Sequence, residues 1–97
     1  MALSTFLVER YRPGVRADTH AAAVARGKRT AAAMRHEGRQ IEYLRSTLVP
    51  EQETVLCIFE AETPELVAEL NDRAEFHYDR IAEAVAVPAS ESPAEAR

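Results

Sequence analysis

Hydrophobic and polar positions alternate along the chain in the way that β-strands require. Residues 5–11, 41–49 and 79–87 alternate with a period of two, and residues 54–59 are apolar at nearly every position. A strand that is apolar on both sides belongs in the interior of a sheet, where both of its faces are covered. The pattern therefore predicts four strands, with the third of them central.

Two further segments predict helices between the strands. The first is rich in alanine; Asp18 or Thr19 is its N-cap, it runs to about His36, and Gly38 is placed for a left-handed C-cap. The second begins at Thr63, a capping residue that is followed by proline at the first helical position. The predicted order of elements is therefore β-α-β-β-α-β.

This order predicts a ferredoxin-like α+β fold. Right-handed crossovers would interleave two βαβ units into a four-stranded antiparallel sheet of order 4-1-3-2, with both helices on one face. We expect a single domain over residues 1–87 and a disordered tail over residues 88–97, which lack any apolar period. The other face of the sheet would be left uncovered, so we expect a homodimer through that open face.

Composition narrows the classes of partner. The 97 residues are 46% hydrophobic and 29% charged, which is ordinary for a globular protein and argues against a membrane protein. The formal net charge of −4 lacks the basic excess that drives nucleic-acid binding. With one cysteine, no internal disulfide can form, and the first residues do not resemble a signal peptide, so we expect a cytoplasmic protein.

The best candidate for chemistry is a set of carboxylates with a phenol. Glu9 lies near the end of the first predicted strand and Glu83 near the beginning of the last, which would be its antiparallel neighbour. If Tyr43 and Arg45 share the open face with Glu9, a pocket there could support acid–base catalysis on a small organic ligand, with Glu9, Tyr43 and Glu83 as the catalytic residues. The same residues would also suit a plain network of ion pairs on a wet face or a dimer interface.

The histidines and the cysteine have simpler interpretations. His20 and His36 lie sixteen residues apart on one predicted helix, about 24 Å along its axis, so they cannot share an ion within one chain. We interpret His77 as a solvent-facing loop residue, because the sequence does not place a partner ligand beside it. We interpret Cys57 as a small buried hydrophobe in the third strand.

Several segments together resemble a known family. They are residues 6–11 with Pro13-Gly14, residues 43–47, residues 53–61, residues 71–74 and residues 78–81. The combination is similar to the small bacterial nickel-binding, ferredoxin-like proteins that are largely described as a domain of unknown function. The resemblance covers about residues 5–87 and implies the same ferredoxin-like fold.

The resemblance also implies binding of nickel or another divalent metal. The family's histidine pair at the end of the first strand corresponds to Glu9 and Arg10 here, and a histidine of its second helix corresponds to Asn71. The candidate metal ligands are then Glu9, Glu60 and Cys57. Cys57 and Glu60 are three residues apart on one strand, so they point to opposite faces and do not form a simple ligand pair.

Three functional hypotheses follow. The first is divalent-metal binding, which the resemblance implies. The second is a small-molecule-binding protein or an enzyme of the cyclase, isomerase or cofactor-free oxygenase type, with its pocket on the open face of a dimer; this rests on analogy of fold. The third is a structural or regulatory module without chemistry of its own. The sequence leaves open whether the protein is an enzyme.

Overall fold

The structure, a computed structural model, describes residues 2–89 of the chain. Most of the predicted disordered tail, residues 88–97, lies outside the described residues. The order β-α-β-β-α-β is confirmed, with a short 3-10 turn before the third strand. The elements are β1 Ser4–Tyr11, α1 Ala17–His36, β2 Ile41–Val49, β3 Thr54–Ala61, α2 Pro64–Arg73 and β4 Arg80–Ala84.

The four strands form one antiparallel sheet in the order β2-β3-β1-β4, which confirms the ferredoxin-like fold and the central position of β3. One face of the sheet, here called the covered face, packs against α1 and α2, and the opposite face is the open face. Within residues 2–89, neither helix combines the length and the apolar character that crossing a bilayer requires.

The covered face holds the hydrophobic core. Alternate residues of β1 and β3 point into it, so that Val8, Val55 and Phe59 are fully buried. From α2, the core receives Val67 and Leu70, both without exposed surface. Apolar residues of both strands therefore face the helices.

The open face is also apolar at its centre. Leu7 of β1 and Leu56 and Ile58 of β3 point away from the helices and are only half-buried. Ala82 of β4 lies beside Leu7 in the register of the sheet. These four residues form a continuous apolar surface, here called the open-face patch, and neither α1 nor α2 lies over it.

A β-bulge in β2 changes the predicted faces of that strand. Tyr43 pairs with Phe59, but the next pair joins Arg45 to Ile58, so Leu44 is an extra residue. An extra residue reverses the alternation beyond it. The expectation that Tyr43 shares the open face with Arg45 is therefore wrong, because Tyr43 is buried beneath the helices, with 3% of its surface exposed.

The helix ends follow the predicted chemistry with one correction. α1 begins at Ala17 with Arg16 as its N-cap, rather than at Asp18 or Thr19. Thr19 instead lies at the third helical position, where its hydroxyl accepts a hydrogen bond from the Arg16 amide at 3.3 Å. The Thr63 cap is confirmed, since its hydroxyl accepts from the Leu66 amide, and so is left-handed Gly38, with φ of 88°.

The last strand is shorter than predicted. β4 ends at Ala84, whereas the alternation in the sequence continues to residue 87. The reason is the length of its neighbour, because Ala84 pairs with Thr5 and β1 itself begins at Ser4. Beyond Ala84 the chain has almost no strand to pair with, and Val85 is 81% exposed.

One glycine sets the distance between α1 and the sheet. A Cβ atom at Gly27 would lie 2.4 Å from Cε2 of Tyr43, well inside van der Waals contact. The Tyr43 ring also stacks on Phe59, with ring centroids 4.7 Å apart. Gly27 therefore allows the tyrosine to lie directly beneath the helix, which explains a glycine in the interior of a helix.

Candidate functional site

A group of polar side chains is enclosed beneath α1. We call it the covered cluster, and its members are His20, Tyr43, Ser46 and Cys57. The Tyr43 hydroxyl donates to Sγ of Cys57 at 3.5 Å, and Oγ of Ser46 lies 3.5 Å from the same sulfur. Nε2 of His20 lies 2.8 Å from Oγ of Ser46. Since Cys57 is only 1% exposed, its thiol is closed off by these neighbours.

Burial sets the protonation chemistry of the covered cluster. Burial, followed by the neighbouring Cys57, raises the pKa of Tyr43 above its ordinary value, so the phenol stays neutral. Burial, followed by the positive charges of Arg10 and Arg12, lowers the pKa of His20. The Tyr43 phenol and the His20 imidazole of the cluster are therefore both neutral at physiological pH.

Arg10 connects the covered face to the loop between α2 and β4. Its side chain is 2% exposed, and its guanidinium lies 4.2 Å from the centroid of the Phe76 ring, in cation–π contact. Its Nε donates to the carbonyl oxygen of His77 at 3.0 Å. The buried arginine thus contacts this loop at two consecutive residues, through the ring of Phe76 and the backbone carbonyl of His77.

The same loop carries an exposed pair of metal-ligand side chains. We call His77 and Asp79 the rim pair, because they lie where the loop joins β4, a strand at the edge of the sheet. Nε2 of His77 is 3.4 Å from Oδ1 of Asp79, and the two side chains are 77% and 47% exposed. The other carboxylate oxygen, Oδ2, accepts a hydrogen bond from the Tyr11 amide at 2.7 Å. The rim pair therefore combines solvent access with a fixed position.

The predicted catalytic residues do not come together. Glu9 is opposite Arg80 in the register, and Arg80 donates from Nε to its carboxylate at 3.3 Å on the open face. Glu83 is opposite Phe6, three residues away along β1, and so belongs to the covered face. With Tyr43 buried beneath α1, the expected juxtaposition of Glu9, Tyr43 and Glu83 is wrong, because register and bulge place them on different faces.

The predicted metal ligands are also spread over the sheet. Cys57 points to the covered face, whereas Glu9 and Glu60 belong to the open face. Glu9 is opposite Leu56, four residues from Glu60, which corresponds to about 13 Å along the strand. Among residues 2–89, no group of three or more histidine, cysteine, aspartate or glutamate side chains is close enough to hold a metal ion.

The sequence interpretation missed the rim pair. His77 was expected to face solvent, and it does, but its neighbour Asp79 supplies the partner that the interpretation lacked. The available signal was the His-x-Asp spacing just before a strand, because two potential ligands so close in sequence can contact each other in a loop. Asn71, at the family's histidine position, lies instead in the core, where its amide donates to the Val67 carbonyl at 2.8 Å.

Comparison with known proteins places this geometry in context. Residues 6–84 match the family described as nickel responsive protein SCO4226-like. The crystal structure of SCO4226 from Streptomyces coelicolor A3(2) is similar in fold, with a TM-score of 0.67 and 22% sequence identity, covering 91% of this chain and 100% of that one. No curated protein matches the chain.

Proposed function

Since this chain belongs to the SCO4226-like family of nickel-responsive proteins, we propose that it binds nickel as a homodimer, with the ion at the protein surface. The family match over residues 6–84 is the observation that supports nickel as the ion. The distribution of donors supports the surface location, because imidazole and carboxylate groups are exposed at the loop before β4 while the thiol is enclosed.

The covered cluster is poorly suited to nickel. To bind an ion, the Cys57 thiol would have to lose its contacts with two hydroxyl groups. The thiol also lies where solvent does not reach it. A closed site also needs three or four protein ligands, and residues 2–89 contain no such group. An ion on this chain would therefore be held by few protein donors, with water or a second copy completing its coordination.

The open-face patch supports the homodimer. Leu7, Leu56 and Ile58 are central on the sheet, yet neither α1 nor α2 covers them. Contiguous apolar surface of this kind commonly marks a protein–protein interface. A second copy packed against the same patch would be an isologous pair, which is the commonest symmetric assembly. Each chain of such a dimer would keep its rim pair outside the apolar centre.

Native mass spectrometry of tag-free protein, purified without chelator and titrated with nickel, tests both parts of the proposal. We expect a dimer that takes up a fixed number of nickel ions for each chain, with zinc and copper as competitors. Protein that stays free of metal at micromolar to millimolar nickel would refute nickel binding. A monomer at all concentrations would refute the dimer.

A pair of matched variants tests the location of the interface. Ile58→Glu places a charge at the centre of the open-face patch, so we expect the dimer to dissociate because the charge would be buried without a partner. Ala32→Glu adds the same charge at an exposed position of α1 and should leave the dimer intact. Equal behaviour of the two variants in sedimentation analysis would place the interface elsewhere.

The acid–base pocket receives no support from the arrangement of this chain. It required Glu9, Tyr43 and Glu83 around one cavity, and the sheet register separates them. These three residues therefore do not form a common acid–base site.

A further inference from the structure

We propose that the rim pair, His77 with Asp79, is the nickel site of each chain; this assignment rests on the proposed nickel binding. The two residues are separated by Tyr78 alone in a segment that is neither helix nor turn. Nε2 of His77 lies 3.4 Å from Oδ1 of Asp79, so the two side chains project to the same side of the loop. An imidazole and a carboxylate are thus presented together at the end of α2, before β4 begins.

The spacing of the donor atoms fits one metal ion. Nε2 of His77 and Oδ1 of Asp79 are 3.4 Å apart. Adjacent ligands of an octahedral ion with bonds of about 2.1 Å are separated by about 3.0 Å, so a small rotation of either side chain is sufficient. Imidazole is a preferred ligand for nickel, and carboxylate is compatible with it. Both donors therefore suit the ion that the family description names.

Three hydrogen bonds hold the backbone of the rim pair and the Asp79 carboxylate before any ion arrives. The Tyr11 amide donates to Oδ2 of Asp79 at 2.7 Å, which leaves Oδ1 directed toward the imidazole. The Asp79 amide donates to the Glu9 carbonyl at 2.8 Å, and Arg10 holds the His77 carbonyl. Such outer contacts orient ligands and reduce the ordering that binding requires.

The exposure of the pair sets the character of the site. His77 is 77% and Asp79 47% exposed, so water can occupy the coordination positions that the protein leaves open. Two protein ligands define a weak, readily exchanging site rather than a closed structural one. A site of this kind suits a protein that releases its ion again, or one in which a second copy adds further donors.

Two substitutions test the assignment on tag-free full-length protein, with nickel titrated in an isothermal calorimeter. His77→Ala removes the imidazole, and we expect the loss of one bound nickel for each chain. Asp79→Asn keeps an oxygen that can accept from the Tyr11 amide but removes the negative charge, so we expect about a tenfold or greater loss of affinity. Thermal unfolding of each variant verifies that the fold is retained.

The controls use similar residues at other exposed positions. His36→Ala, in the last turn of α1, and Asp72→Asn, in α2, change the same residue types and should leave nickel binding as in the wild type. Wild-type protein without nickel binding would refute the proposed function and the site together. Wild-type binding that His77→Ala and Asp79→Asn leave unchanged would refute the site alone.

Discussion

The covered cluster and the rim pair contain similar donor groups in opposite surroundings. His20 is 6% exposed and bonded to a hydroxyl, whereas His77 presents its ring to solvent beside a carboxylate. Cys57 is the softest ligand in the chain, yet two hydroxyl groups close it off. In this fold, solvent access and a charged neighbour therefore determine which donors form the candidate site, rather than the intrinsic metal preference of a side chain.

Arg10 links the two regions. It lies on the covered face of β1, where burial first and then the Arg10 charge lower the pKa of His20, and it also binds the carbonyl of His77. A residue buried for structural reasons therefore positions an exposed loop.

The largest effect should come from the close packing on the covered face. Gly27→Ala would push a methyl group into the Tyr43 ring, so we expect a loss of unfolding free energy of about 3 kcal/mol. The usual effect of this change inside a helix is a gain of about 1 kcal/mol, so the sign itself is informative. Urea denaturation measures it, and a stabilised Gly27→Ala protein would contradict the packing described for Tyr43.

A smaller loss should follow from breaking the link. Arg10→Met retains apolar bulk over Phe76 but leaves the His77 carbonyl without its donor, so we expect a loss of about 2 kcal/mol. Nickel affinity should fall as well, because the loop that carries the rim pair is less well fixed. Arg12→Met, which removes an equal charge two residues away, is the control for electrostatics. Equal effects of the two variants on nickel affinity would show that Arg10 does not position the loop.

Acidification should reveal the burial of His20. Its pKa is lowered in the folded protein by burial and by Arg10 and Arg12, so the unfolded chain takes up a proton first as the pH falls. The contribution of His20 to the free energy of unfolding should therefore be fully present above pH 6.5. It should decrease as the pH falls from 6.5 to the lowered pKa of the folded state. His20→Gln, measured by thermal unfolding from pH 7.5 to 5, should show a flatter profile. Parallel profiles for the two proteins would argue against a buried neutral imidazole.

The smallest effect on stability is expected at the rim pair. His77→Ala changes an exposed side chain in a loop, so the unfolding free energy should stay within about 0.5 kcal/mol of the wild-type value. The same variant is expected to lose its nickel. A stability loss as large as that of Arg10→Met would show that His77 has a structural role instead.

Most of the fold could be predicted from the sequence because local signals agree with the tertiary structure. The period of two in β1, the doubly apolar β3 and the Thr63-Pro64 cap each indicate their elements directly. What could not be predicted depends on pairing between strands. The shortening of β4 is decided by where β1 begins, and the faces of β2 are decided by a bulge at Leu44.

The candidate site was harder to predict for the same reason. Whether Glu9 meets Arg80 or Glu83 depends on the register of β1 with β4, which alternation alone does not determine. The burial of Arg10 is unusual for an arginine, and it depends on the Phe76 ring and on a carbonyl from a distant loop. The spacing of His77 and Asp79 is visible in the sequence, but the position of the loop that carries them depends on those long-range contacts.

Nuclear magnetic resonance of isotope-labelled protein, titrated with paramagnetic nickel, tests most directly whether nickel binds at the rim pair rather than in the covered cluster. Resonances near the ion broaden first. We predict early broadening for the amides of residues 76–80 and of Tyr11, whose amide contacts Asp79, with little change at Cys57 and His20. Broadening centred on Cys57 or His20, or uniform broadening without a centre, would show that nickel does not bind at the rim pair.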